Sequence, residues 1–111
     1  MPDASPANAS ARRVHSRDVM LDLERRETRV RGETVELTNQ EFDLLNFLAA
    51  RPGIAFSRTA LLKVWNGDPY VTERTVDAVV NHLRRKIERD AQNPELILTA
   101  RGGGYKFVDA G

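Results

Sequence analysis

The sequence predicts an α+β domain in which short antiparallel strands come first, three helices follow, and a β-hairpin ends the chain. Three observations lead to this prediction. Apolar and polar residues alternate between residues 19 and 37, later segments carry helical spacing or helix-end signals, and three consecutive glycines separate two β-rich runs near the C-terminus. A period of two residues indicates strands, whereas a period near 3.6 indicates helices.

Length and composition limit the classes of protein to consider. The chain has 111 residues, of which 41% are apolar and 30% charged, and it has no cysteine. This is the balance of one compact domain. The lack of cysteine excludes disulfides and thiolate metal sites, and it fits the reducing cytoplasm, where we expect the protein to be. No apolar run approaches the roughly 20 residues that a membrane helix needs. Residues 1–13 lack the apolar middle of a signal peptide, so export is not expected.

The first 13 residues differ from the rest in composition. They consist mainly of Pro, Ala, Ser and Asn, with Arg12 and Arg13 at the end. Nothing in this stretch can form a buried face. We therefore expect a disordered linker or tail over residues 1–13 and a folded domain over residues 14–111.

Residues 19–37 predict three antiparallel strands. Val19, Leu21 and Leu23 alternate with Met20, Asp22 and Glu24, which is the pattern of a strand with one face against a core. Two further β-rich segments, residues 28–30 and 34–37, lie on either side of Gly32, where we expect a turn.

Two helices with marked ends follow the strands. In the first, Thr38 is placed to cap the helix, and Glu41 three residues later completes a capping box. The segment ends at Pro52 and Gly53. Its apolar stripe contains Phe42, Leu45, Leu48 and Ala49. In the second, Ser57 caps a helix that continues through Trp65 and is broken by residues 66–69.

The segment RTVDAVVNHLRRKIERD, residues 74–90, predicts a third helix with two unlike sides. Its core-facing stripe consists of Val76, Val80, Leu83 and Ile87, spaced by four, three and four residues. The opposite side, at about 100° per residue, carries Arg74, Asn81, Arg85 and Arg89, with His82 near them. Asp77 and Arg84 lie on a flank. One side is therefore apolar and the other polar and mostly basic.

The last segment, ELILTARGGGYKFV, predicts a hairpin with an exposed tip at residues 102–104. Residues 74–106 carry seven basic and four acidic side chains, whereas the rest of the chain carries ten and twelve. Positive charge therefore gathers in the C-terminal part. A basic helix beside a thin basic hairpin suits duplex DNA, because the major groove accepts an α-helix and a narrow minor groove attracts arginine. Phosphates could be held by Arg84, Lys86 and Lys106 without reading sequence.

Four blocks of this sequence, in order and at the right spacing, resemble a known family. They are LTNQEFDLLNFLAARPG, SRTALLKVW, ERTVDAVVNHLRRKIE and LTARGGGYKF. Residues 19–108 resemble the C-terminal effector domain of OmpR/PhoB-type response regulators, a winged helix-turn-helix that begins with a four-stranded sheet. The three strands described above would begin that sheet. The resemblance implies sequence-specific binding of double-stranded DNA, with a recognition helix at about residues 73–88 in the major groove and the hairpin wing in the minor groove.

The resemblance also implies which residues face DNA. The family's base-facing and phosphate-facing positions are Arg74, Val79, Asn81, His82 and Arg84 on the recognition helix, and Thr99, Arg101 and Tyr105 on the wing. Arg85, on the exposed side of the same helix, completes the candidate set, and Arg101 would enter the minor groove. Trp65 matches a position that meets the phosphate backbone. Packing is an equally good interpretation of the indole of Trp65 and of the ring of Tyr105.

The chain departs from its relatives at three of these positions. Many relatives carry histidine where this chain has Val79, and arginine where it has Asn81 and His82. Valine offers only apolar contact, for example to a thymine methyl group, and Asn81 suits adenine better than guanine. The departures leave the operator sequence open, but they do not change the expected mode of binding.

The resemblance implies partners besides DNA. Two copies would sit in tandem on direct half-sites about one helical turn apart, and the loop at residues 66–72 would touch RNA polymerase. Such regulators begin with a receiver domain that is phosphorylated through a sensor kinase, and this chain lacks the length for one. We therefore expect the DNA-binding half of a larger regulator, with a stand-alone regulator as the second possibility.

Two other kinds of function compete with DNA binding. Catalysis is not expected, because no serine or threonine has a histidine–acid relay and the three glycines do not open a helix as a phosphate-binding loop does. No cofactor or metal is expected, since His15 is the only histidine that could accompany His82. The second class is a winged helix used for protein contacts, because a fold does not determine a function. A charged helix face can also be simply solvated.

Overall fold

The computed structural model describes residues 12–65 and 68–109. A four-stranded antiparallel sheet comes first, and its strands lie side by side in chain order: β1 (Arg13–Ser16), β2 (Val19–Asp22), β3 (Glu27–Val30) and β4 (Glu33–Val35). The register sets Leu21 opposite Val14 on one side and Thr28 on the other. Because successive side chains alternate between the two faces, these residues share the inward face.

The predicted strands are confirmed, but they are the second to fourth strands of the sheet and not the first three. Strand β1 precedes them, and its four residues carry only Val14 and Ser16 on the inward face. So short an alternation could not be recognised in the sequence. The backbone carbonyl of Arg12 also accepts a hydrogen bond from the N–H of Leu23 at 2.8 Å. The folded domain therefore begins before residue 14, and residues 1–11 of the expected linker lie outside the described residues.

The three helices are α1 (Asn39–Ala49), α2 (Arg58–Leu61) and α3 (Glu73–Ile87). The capping box of α1 is confirmed: Thr38 Oγ1 accepts the N–H of Glu41 at 3.2 Å, and Glu41 Oε1 accepts the N–H of Thr38 at 2.9 Å. The Ser57 cap of α2 is also confirmed, since its Oγ accepts the N–H of Ala60 at 3.0 Å. The second helix is only one α-turn long, however, and continues as a 3-10 helix over Leu62–Trp65.

A single core joins the sheet, the helices and the hairpin. Its fully buried side chains come from every part of the described chain and include Val19, Leu21, Leu44, Leu45, Leu48, Leu61, Val76, Val80, Leu83, Ile87, Ile97 and Phe107. The whole predicted stripe of α3 is among them, and the predicted stripe of α1 also lies in the core, with Phe42 and Ala49 only 3% and 2% exposed. The stripe of α3 is therefore held inside the domain, and its polar side is left at the surface.

The C-terminal hairpin consists of β5 (Ile97–Thr99) and β6 (Tyr105–Phe107). Phe56, just before α2, pairs with Tyr105 through two backbone hydrogen bonds of 2.9 and 3.0 Å. Gly104 lies so close to this segment that a Cβ atom there would come within 2.1 Å of the carbonyl oxygen of Phe56. The hairpin is therefore attached along one edge to the segment that leads into α2, and glycine is needed at the point of attachment.

Candidate nucleic-acid interface

The exposed side of α3 carries most of the residues predicted to face DNA. Arg74, Asn81, His82 and Arg85 are all exposed, whereas the opposite stripe is buried. Glu73 lies in the first turn of the helix, and Arg84, Arg85 and Lys86 lie in the last turn. The helix dipole stabilises negative charge at the first turn and positive charge at the last. The structure thus brings four of the predicted residues together on one accessible surface.

Val79 is the exception on this helix, because its side chain is buried. Only 4% of its surface is exposed, and it belongs to the core. The reason is its spacing: Val79 follows Val76 by three residues and precedes Leu83 by four, so it lies on the buried stripe. The contact of Val79 with a thymine methyl group stays a prediction, and the burial of the side chain argues against it.

Arg84 is half-buried, and its guanidinium binds the wing. Its Nε and one Nη donate to the carbonyl oxygen of Ile97 at 3.0 and 2.8 Å, and the same Nη donates to Oγ1 of Thr99 at 3.0 Å. The guanidinium carbon also lies 5.5 Å from the centre of the Tyr105 ring. Arg84 therefore connects α3 to both strands of the wing, whereas the sequence had suggested a contact with phosphate.

The other predicted wing residues differ in accessibility. Thr99 and Arg101 are exposed, but Tyr105 is only 7% exposed, and its hydroxyl donates to Oδ1 of Asp77 at 2.6 Å. For Tyr105 the structure thus agrees with the packing interpretation. Arg101 borders a cleft of about 400 Å³ between the wing tip and the start of α2 and α3.

Arg58 lines the same cleft and was missed by the sequence analysis. Its side chain is half-buried, and its Nε donates to Oδ1 of Asp77 at 2.8 Å. A Cβ atom on Gly103 would lie 3.4 Å from one of its Nη atoms, so the guanidinium lies against the wing tip. The sequence feature that could have pointed to Arg58 is its position directly after the Ser57 cap, in the block SRTALLKVW.

Trp65 and the following loop were predicted to meet phosphate and RNA polymerase. The indole of Trp65 is half-buried, and its N–H is buried without an acceptor among the described residues. In this conformation it does not present a donor at the surface. Residues 66 and 67 of the predicted loop lie outside the described residues. In the remainder, Tyr70 is 88% exposed, and its N–H is held by the carboxylate of Asp68 at 2.9 Å.

The sequence profile of a family of transcriptional regulatory proteins, described as their C-terminal domain, matches residues 32–107. The chain belongs to this family. As a C-terminal regulatory domain it is similar to the probable transcriptional regulator ycf27 of Guillardia theta, with 46% identity over 90 residues that make up 78% of this chain and 35% of that protein. The chain thus spans about a third of the length of that relative.

Solved structures of response regulators have folds similar to that of this chain. Response regulator DrrB of Thermotoga maritima, an OmpR/PhoB homologue, has a TM-score of 0.79 and 33% identity, covering 87% of this chain and 44% of that chain. The DNA-binding domain of RstA from Klebsiella pneumoniae, in complex with the RstA box, has a TM-score of 0.75 and 33% identity, covering 86% and 96%. The domain therefore has the winged-helix fold of OmpR/PhoB-type DNA-binding domains, as its sequence predicted.

Two features are absent from residues 12–65 and 68–109. No helix there is long and apolar enough to cross a membrane. No group of three or more histidine, cysteine, aspartate or glutamate side chains there is arranged to hold a metal ion.

Proposed function

We propose that this regulatory domain controls transcription by binding double-stranded DNA sequence-specifically, with α3 in the major groove and the wing in the minor groove. The proposal rests on the position of the exposed polar residues of α3 relative to the exposed arginine of the wing. Asn81, His82 and Arg85 are exposed on α3, and Arg101 is exposed on a wing that is hydrogen-bonded to that same helix through Arg84. The solved relative RstA, seen with its DNA box, supports this use of the fold.

Each exposed residue has a chemically defined task in this proposal. Asn81 pairs with an adenine edge, and Arg85 or Arg74 pairs with guanine or with a phosphate. Arg101 enters the narrow minor groove, where the negative potential is strongest. Because only these side chains carry sequence information, a change at one of them should alter the preference at its own base position.

The partners follow from the same proposal. A second copy of the domain occupies an adjacent direct half-site, about one helical turn away. The loop around Tyr70 contacts RNA polymerase, and the largely exposed aromatic ring supports a protein contact there. A receiver domain and its sensor kinase supply the phosphorylation signal.

Selection of bound duplexes from a random pool, at two salt concentrations, tests the proposal. We expect a recovered direct repeat with half-sites about 10 base pairs apart, and an affinity that falls steeply as salt rises, because neutralised phosphates release counterions. The same selection with Asn81→Ala should lose preference at one base position per half-site and keep the repeat.

A different outcome would favour the protein-contact class. A pool that stays random, with weak binding lost at moderate salt, would mean that the basic face of α3 is only a solvated surface. A footprint confined to one half-site on the best duplex would leave DNA reading intact and argue against the tandem arrangement alone.

A further inference from the structure

Asp77 lies where three elements meet. One of its oxygens, Oδ1, accepts hydrogen bonds from Nε of Arg58 at 2.8 Å and from the hydroxyl of Tyr105 at 2.6 Å. Arg58 belongs to α2, Asp77 to α3 and Tyr105 to β6. A single carboxylate oxygen therefore joins both helices of the helix-turn-helix to the wing.

The ionisation of this cluster strengthens the two bonds. The hydrogen bond from Tyr105, together with the hydrogen bond and charge of Arg58, outweighs burial and holds the pKa of Asp77 below its ordinary value. Burial, followed by the bond to Asp77, raises the pKa of Tyr105. At neutral pH the carboxylate is charged and the phenol keeps its proton. Hydrogen bonds to a charged acceptor are shorter and stronger than neutral ones.

A second attachment lies on the same flank of α3. Arg84 is seven residues, or two helical turns, after Asp77, so both side chains leave the helix in nearly the same direction. Asp77 binds β6 through Tyr105, and Arg84 binds β5 through the carbonyl of Ile97. Each strand of the wing is thus fastened to α3 by its own polar contact.

Directional contacts matter here because the wing is small. Its strands have three residues each, and an isolated hairpin of that size is marginally stable at best. Buried Ile97 and Phe107 hold it against the core, but apolar burial is non-directional. Hydrogen bonds, in contrast, weaken steeply away from linear geometry. The backbone pair between Phe56 and Tyr105 holds the wing to the segment before α2, and the contacts of Asp77 and Arg84 are the hydrogen bonds that hold it to α3.

We propose that Asp77 is a positioning residue for DNA reading: through Tyr105 and Arg58 it holds the wing at one angle to α3, so that Arg101 reaches the minor groove while α3 occupies the neighbouring major groove. The inference rests on the proposed function. Asp77 acts through the wing and does not touch DNA itself.

A double-mutant cycle tests the coupling on the duplex recovered by selection. Arg101→Ala should weaken binding about tenfold in the wild-type background. In the background of Tyr105→Phe, which removes only the hydroxyl, the same change should weaken binding less than about threefold, because the wing no longer holds Arg101 in place. Asp77→Asn should act in the same direction.

The matched control is Asp43→Asn on α1, whose ion pair with Arg26 at 2.9 Å is also partly exposed. In that background Arg101→Ala should keep its full effect. An effect of Arg101→Ala that is as large with Tyr105→Phe as in the wild type would overturn the proposal.

A second measurement needs no DNA. The chain has no cysteine, so spin labels can be attached at Ala78→Cys on α3 and Arg101→Cys on the wing, and their distance distribution measured by pulsed electron resonance. Asp77→Asn and Tyr105→Phe should broaden this distribution, and Asp43→Asn should not. An unchanged distribution would overturn the positioning role even if the domain reads DNA. If the distance distribution broadens but the duplex selection leaves a random pool, Asp77 positions the wing and the proposed function is rejected.

Discussion

Lys86 donates a hydrogen bond from Nζ to Oε1 of Glu41 at 2.6 Å, and this ion pair joins α3 to α1. The carboxylate of Glu41 is 5% exposed, whereas the side chain of Lys86 is 36% exposed. The same carboxylate oxygen accepts the N–H of Thr38 in the capping box. A lysine that the sequence assigned to phosphate is therefore engaged within the domain, where it positions α3.

The first prediction concerns this pair. Glu41→Gln should lower the free energy of unfolding at neutral pH by roughly 1 to 3 kcal/mol, because the amide cannot form the ion pair with Lys86. Urea unfolding measures the change. Asp43→Asn on the same helix is the control, and loss of its more exposed pair should cost less than about 1 kcal/mol. Equal losses of unfolding free energy in the two variants would show that the burial of Glu41 does not strengthen its ion pair with Lys86.

The second prediction is that the difference in unfolding free energy between the wild type and Glu41→Gln depends on pH. Burial raises the pKa of Glu41, but the bonds from Lys86 and Thr38 and the positive charges of Lys86 and His82 outweigh it, so the pKa lies below its ordinary value of 4.5. A carboxyl group of this kind stabilises the fold fully above its unfolded-state pKa and stops doing so as the pH falls through the lower folded-state pKa. Unfolding curves of wild type and Glu41→Gln should therefore converge below pH 4.5. A difference that stays constant would contradict the lowered pKa.

The third prediction concerns Glu88, at the end of α3. Its buried carboxylate accepts the backbone N–H groups of Glu95, Leu96 and Ile97 at 2.7 to 3.1 Å. Glu88→Gln should cost about 2 to 4 kcal/mol in unfolding free energy, since an NH₂ group would face backbone donors. Glu95→Gln, an exposed change in the same loop, should cost less than about 0.5 kcal/mol. If both variants unfold at the same urea concentration, the carboxylate does not organise this loop.

The fourth prediction compares two glycines of the wing. Gly104→Ala should cost more than about 3 kcal/mol, because its Cβ would lie 2.1 Å from the carbonyl oxygen of Phe56. Gly102→Ala meets no atom within 4 Å, but its φ of 92° strains an alanine, so about 1 to 2 kcal/mol is expected. Thermal unfolding of both variants measures the contrast. The reverse order would mean that the wing is not attached at Gly104.

The fifth prediction concerns Arg84. Arg84→Ala should weaken binding to every duplex, since a positive charge on the proposed DNA surface is lost, and should also destabilise the domain, since the contacts with Ile97 and Thr99 are lost. Arg84→Lys keeps that charge but cannot reproduce the fork that binds the Ile97 carbonyl and Thr99, so it should keep non-specific affinity and lose about 1 to 2 kcal/mol of stability. Arg25→Lys in the β2–β3 turn is the control. A change of sequence preference without a change in non-specific affinity would contradict this assignment.

Several features of the domain could be predicted because they depend on nearby residues alone. The capping box of Thr38 and Glu41, the Ser57 cap and the apolar stripe from Val76 to Ile87 are spaced by three or four residues, and a helix brings such residues together whatever surrounds it. The hairpin around three glycines is equally local. The same stripe also includes Val79, so its burial follows from the spacing as well.

What the sequence determined by itself, therefore, is the order of the elements and the side chains that each presents to the core and to water. Only the tertiary structure decided which exposed charges are free and which are engaged. The partners of Arg84, Lys86 and Asp77 lie 13, 45 and 28 residues away, and no periodicity reports a contact across such separations. Strand β1 was missed for a related reason, because pairing with β2, and not its own four-residue pattern, defines it.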